Sequence, residues 1–83
     1  MRSVTLYTRE GCHLCDDALG VLEAVRQEAP STLTVTVIDV DSDPALRELY
    51  GMEVPVIAVD GRKAFKYRVT AEALRRRLAR EAP

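Results

Sequence analysis

No stretch of this 83-residue chain approaches the apolar length needed to span a bilayer. Met1-Arg2-Ser3-Val4 runs directly into a short alternating segment, without the apolar core or small-residue cleavage site of a secretory leader. A cytoplasmic location is therefore expected, with no membrane contact. Neither sign of charge is in excess: 12 Lys and Arg against 13 Asp and Glu leave a net charge of −1, which excludes general attraction to nucleic acid or anionic lipid. Repeats and low-complexity linkers are absent, and residues 1–83 form one domain large enough to bury a core without a metal or disulfide staple. Cysteine is equally scarce. Two residues cannot make a disulfide scaffold, and in a reducing compartment a lone pair is more often redox-active or metal-bound than structural.

Both cysteines fall in Gly11-Cys12-His13-Leu14-Cys15, where an extended pattern gives way to a helical one. Upstream, Val4 and Leu6 with the β-formers Thr5, Tyr7 and Thr8 predict a strand; downstream, Leu14, Ala18, Val21, Leu22 and Val25 recur at helical spacing. A Cys-x-x-Cys at a helix start meets unpaired backbone N–H groups and the positive end of the helix dipole, both of which favour a thiolate. Cys12 is accordingly the expected nucleophile. Cys15, one turn on and on the same face, is the expected resolving cysteine.

The first helix is expected from about Cys12 to Glu28, ended by Pro30-Ser31. Thr32 to Val40 alternates and is β-branched, predicting a second strand with at least one well-buried face, parallel to the first through a right-handed crossover. Asp43 and Pro44 signal a short helix over Pro44 to Tyr50, with Leu46, Leu49 and Tyr50 on its buried side and Gly51 as a left-handed cap. Val56 to Val59 reads as a strand buried on both faces, with Pro55 at its start, and Asp60-Gly61 as a hairpin turn into a strand from Lys63 to Arg68. Thr70 caps a last helix whose apolar stripe is Ala71, Leu74 and Leu78. Tyr50 and Phe65 are assigned to the core. Acidic residues dominate the middle of the chain, while eight Lys and Arg from Arg62 to Arg80 crowd its last third. That asymmetry reads as a solvated helix face, with Glu72 and Glu81 as local partners, or as a surface that steers an acidic partner.

The element order, with Cys12-x-x-Cys15 after the first strand and Val54-Pro55 before the third, resembles the thioredoxin fold in its smallest form. Leu6-Tyr7-Thr8, Asp39-Val40-Asp41, Tyr50-Gly51, Val54-Pro55-Val56 and Asp60-Gly61 extend the resemblance over nearly the whole chain, and it is closest to the glutaredoxins, in particular the divergent glutaredoxin-like proteins of bacteria. The resemblance implies an α/β fold of βαβαββα order: a four-stranded mixed sheet in the order 2-1-3-4, with the first and third helices on one face and the second on the other. It implies a cis Val54-Pro55 peptide beside the dithiol, leaving the backbone of Val54 to pair with an extended substrate. The sequence departs from the family at three places. His13-Leu14 replaces the usual Pro-Tyr between the cysteines, Tyr67-Arg68-Val69-Thr70 has no glycine pair, and the family's lysine ahead of the motif is matched only by nearby Arg9.

The expected activity is thiol-disulfide exchange by Cys12 and Cys15 on a protein disulfide or a glutathione mixed disulfide, with Val54, Pro55, Tyr7, His13 and Arg9 about the substrate. His13, if protonated, and Arg9 would favour the thiolate, while Glu10 and Asp16 oppose it. His13 reads equally as an exposed first-turn residue, and Tyr7 as a rim or core aromatic. No tightly bound cofactor is implied; glutathione and a thioredoxin-reductase-like enzyme both stand open as reductant. Two other classes compete. Cys12, His13 and Cys15 offer soft ligands but lack a second cluster for a closed zinc site, leaving a shared site in a dimer or a glutathione-bridged iron-sulfur cluster. The third is an adaptor that docks through its basic last helix and whose dithiol is incidental.

Overall fold

The computed structural model describes residues 2–80. Strand β1 (Arg2–Thr8) leads through a turn into helix α1 (His13–Glu28), and β2 (Leu33–Asp39) returns parallel to β1. A 3-10 turn (Val40–Ser42) precedes α2 (Pro44–Tyr50). Then β3 (Val56–Val59) and β4 (Arg62–Lys66) form a hairpin, and α3 (Ala71–Leu78) closes the fold. The sheet order is β2-β1-β3-β4, with β3 antiparallel to β1, so the chain has the expected minimal thioredoxin architecture.

Alternation along β1 sorts the two faces of the sheet. Val4 and Leu6 point to the side covered by α1 and α3, opposite Val59 and Ile57 of β3 in the register. Ala18, Leu22 and Val25 of α1 and Leu74 of α3 complete this core, with Leu33 of β2 at its margin. Tyr7 points to the other face, and Tyr50 of α2 stacks on it with ring centroids 4.6 Å apart, which places α2 on that second face. Central β3 is buried at every residue from Val56 to Val59, as its uninterrupted apolar run requires.

The caps follow the local sequence. Asp43 accepts the Ala45 N–H at 2.8 Å with Pro44 in the first helical position, and Thr70 Oγ1 accepts the Ala73 N–H at 3.1 Å. Asp60 and Gly61 both have positive φ, +50° and +84°, which makes the β3–β4 turn of the mirror-image kind that fits strand twist. At this end of the sheet Arg2 donates to Asp60 Oδ2 at 2.6 Å and to the Leu78 carbonyl at 2.5 Å, tying β1 to the end of α3.

Several sequence expectations are corrected. Gly51 is not left-handed: at φ −55° its N–H still donates to the Arg47 carbonyl at 2.9 Å, continuing the helix. The glycine serves space instead, because a Cβ there would lie 2.5 Å from that carbonyl oxygen and 3.0 Å from Arg9 Nη2. No residue of α2 is buried, and Leu49 is 63% exposed, because this two-turn helix packs chiefly on the 3-10 turn and does not lie across the sheet. Tyr50 is accordingly a half-buried rim residue, and Phe65 is half-buried against the core. Strand β2 has no fully buried face: it is an edge strand, sealed at Leu33 and opening to a 48% exposed Val37. Strand β4 ends at Lys66, since Tyr67 turns to φ +69° and leaves the ladder. Helix α1 starts at His13, with Cys12 as its cap. Glu72 pairs with Arg76 as expected, whereas Glu81 lies outside the described residues.

Leu22 is fully buried at the centre of the core. Leu22→Ala should lower unfolding free energy by about 2–5 kcal/mol with an unchanged denaturant slope. A loss under about 1 kcal/mol in urea melts would mean that α1 is not seated on the sheet as described.

Candidate functional site

The end of β1 and the start of α1 set the site. Gly11, at φ +78°, turns the chain so that Cys12 occupies the cap of a 16-residue helix with extended backbone. Its Sγ accepts the Cys15 N–H at 3.1 Å, as a serine or aspartate oxygen would at that position. Helical spacing then puts Cys15 at the head of the stripe Cys15, Ala18, Leu22 and Val25, and it is 1% exposed. Cys12 is half-buried and reachable. The two are joined in a disulfide with Cα atoms 5.2 Å apart. The two sulfurs thus differ in burial, and the outer one accepts a backbone N–H.

Val54-Pro55 is a cis peptide. Pro55 is buried, its carbonyl accepting the Tyr67 N–H at 2.8 Å, while Val54 is half-buried and its backbone N–H and C=O have no hydrogen-bond partner among the described residues. Tyr7 is half-buried beneath Tyr50, and His13 is exposed on the first turn of α1. Arg9 is occupied elsewhere. Its Nε and Nη2 bind the two Asp41 carboxylate oxygens at 3.0 Å each, and its Nη1 donates to the Gly51 carbonyl at 3.0 Å. That fork holds the loop ahead of the dithiol to the end of α2.

Two shallow grooves flank the motif. One, of about 340 Å³, reaches Cys15 between Glu10, Gly11 and Asp16 on one side and Val37 and Asp39 of β2 on the other. The second, about 250 Å³, lies between Leu14 and Asp17 of α1 and the segment Tyr67 to Thr70. Sequence reasoning missed the contribution of this segment. Its only readable signal was the missing glycine pair, whereas the positive φ of Tyr67 and its N–H bond to the Pro55 carbonyl are tertiary features that sequence does not show. It also missed Met52, 89% exposed three residues ahead of Pro55. Among the described residues no group of three or more His, Cys, Asp or Glu side chains is placed to hold a metal ion, and no helix is long and apolar enough to cross a membrane.

A family model, "Glutaredoxin-like domain (DUF836)", matches residues 3–79. The chain belongs to this glutaredoxin-like family. Among solved structures it is similar to protein XcR50 from X. campestris, at 36% identity and a TM-score of 0.75, covering 90% of this chain and 93% of that one. Protein Ne2328 from Nitrosomonas europaea follows at 27% identity and a TM-score of 0.74, with 92% and 89% of the two chains covered. The reduced form of desulfothioredoxin from Desulfovibrio vulgaris Hildenborough, at 23% identity, TM-score 0.73 and coverage of 94% and 79%, shares the fold. A comparison with curated proteins finds no match. A glutaredoxin-like domain with its Cys-x-x-Cys pair closed as a disulfide points to redox work.

The Arg9 fork has a signature in pH. Asp41 is held below the ordinary carboxylate range, first by the hydrogen bond from Arg9 and then by the charges of Arg9 and Arg47. A depressed folded value means the contribution is complete above the unfolded value of about 3.9 and is lost as pH falls through the folded one. Asp60, held down by the Ser3 N–H and then by Arg2, acts in the same direction. Stability should therefore fall on acidification below about pH 4, and Asp41→Asn should flatten that fall. Equal acid slopes for variant and parent in urea melts would show that the fork is not maintained in solution.

Proposed function

We propose that this chain is a dithiol-disulfide oxidoreductase in which Cys12 attacks and Cys15 resolves. The observation that carries the reading is the Cys12 sulfur at the cap of α1, accepting the Cys15 N–H, with Cys15 buried behind it. The Cys12 thiolate attacks one sulfur of a substrate disulfide, forming a mixed disulfide and expelling the other sulfur as a thiolate. Cys15 then gives up its proton and attacks the Cys12 sulfur, closing the Cys12–Cys15 disulfide and releasing the second substrate thiolate. The substrate gains the two electrons that the dithiol loses, and a reductant resets the pair. Sulfur-to-sulfur attack needs no cofactor held by the protein.

Helix α1 supplies the electrostatics: its dipole and first-turn N–H groups favour the anion, His13 beside the motif adds to this when protonated, and Glu10 and Asp16 set a limit to it. The unpaired backbone groups of Val54 are suited to hold an extended substrate segment as an added strand, with Pro55 and Tyr7 framing that position. The natural setting is a reducing compartment such as the cytoplasm, where a thiol reductant is at hand. Turnover assays with glutathione plus its reductase against a thioredoxin-reductase system identify that reductant.

Alkylation of the reduced protein across pH, with the modified cysteine mapped by peptide mass, tests the reading. Cys12 alone should react, with an apparent pKa well below the free value of about 8.5, and Cys12→Ser should abolish disulfide turnover. Cys15→Ser should instead trap a mixed disulfide on Cys12. Both thiols titrating near or above about 8.5 would remove the oxidoreductase reading.

A further inference from the structure

A groove of about 490 Å³ lies between β4 and α3 and shares no lining residue with the dithiol motif. One wall carries Arg62, with the Lys63 ammonium turned to Glu53 and Tyr50 on the other face of the sheet, and the other wall carries Arg76, Arg77 and Arg80, over a floor that includes half-buried Phe65. Arg76 pairs with Glu72 and Lys63 with Glu53. Arg62, Arg77 and Arg80 have no carboxylate within ion-pair distance among the described residues. The sheet order sharpens this imbalance, because it sets the acid-rich Asp39 to Glu48 segment near edge β2 and the basic groove along edge β4.

We propose that this groove docks an acidic segment of a protein partner. Charge decides the sign of the ligand, and spacing decides its class. Arg76 and Arg77 lie in the last turn of α3, Arg80 one turn on and just past its end, a step of about 5 Å, and Arg62 faces them from β4. Cations spread in this way match carboxylates on alternate residues of an extended chain, about 7 Å apart, better than they match one compact phosphate. The floor gives such a segment apolar contact through Phe65 and Ala64, and β4 is paired on one side only, so its outer backbone edge is open for pairing. A duplex or single-stranded nucleic acid would meet a molecule of net charge −1, with only five of its 12 Lys and Arg lining this groove. Docking here leaves the dithiol uncovered, so binding and exchange occupy separate surfaces.

The test is an NMR titration of the whole chain with a hexaglutamate peptide, using inorganic triphosphate as the competing anion. Shifts should be confined to residues 62–65 and 73–80, and affinity should fall at least about fivefold between ~20 and ~200 mM salt. Arg62→Glu combined with Arg77→Glu and Arg80→Glu should weaken the peptide at least tenfold while leaving the Cys12 alkylation profile unchanged. Should that triple variant not fold, Arg62→Gln with Arg80→Gln, both exposed, should still weaken it severalfold. Shifts scattered over the surface, triphosphate bound more tightly than peptide, or undiminished peptide binding in the variants would overturn the proposal. So would concentration-dependent shifts of the same residues without peptide, which would mark a second copy of the chain as the occupant.

Discussion

Everything at the active end rests on how helix α1 is rolled onto the sheet. Ala18, Leu22 and Val25 must enter the space left by Val4, Leu6 and Ile57, and a helix of fixed pitch that meets this demand has no rotational freedom left. Cys15 heads the same stripe and is therefore buried by the packing itself. Cys12, three residues earlier and outside the helical register, is left as the cap, with its sulfur over the first turn. The unequal exposure of the pair is a consequence of hydrophobic packing further along the same helix. No separate device is needed to make one sulfur accessible and the other shielded.

The electrostatics of the molecule divide by end. At the dithiol, the charges nearest the motif are drawn into one another or point outward: Arg9 is consumed by Asp41 and Gly51, while Glu10 and Asp16 line an open groove. At the opposite end, Arg2, Asp60 and the carbonyl of Leu78 close the sheet against α3. Ion pairs on such exposed side chains contribute little each to stability, so their effect is geometric, fixing which loop stands beside which. Along β4 and α3, by contrast, Arg62, Arg77 and Arg80 stand in no ion pair among the described residues.

Most of the architecture was legible because the local signals agreed with one another. The periodicities changed from two to about three and a half where α1 begins, Asp43-Pro44 and Thr70 marked helix starts, and the apolar run Val56 to Val59 could only be a central strand. The failures share a cause. Gly51, Tyr50, Leu49 and Val37 were read from residue type, but their states depend on which neighbours a short helix and an edge strand possess, and that is settled by tertiary placement. Arg9 adds a contact that local sequence does not show: the parallel register that sets Thr8 beside Asp39 brings it to Asp41.

The Arg9 fork also joins two backbone arms, the loop Arg9 to Gly11 that feeds Cys12 and the segment Gly51 to Val54 that feeds Pro55. One guanidinium grips both: it belongs to the first arm and is bonded to the first residue of the second. Asp41, on the neighbouring connection, stops it from rotating away. The spacing of the two arms is thereby held by one side chain, like the jaws of a caliper with its screw tightened.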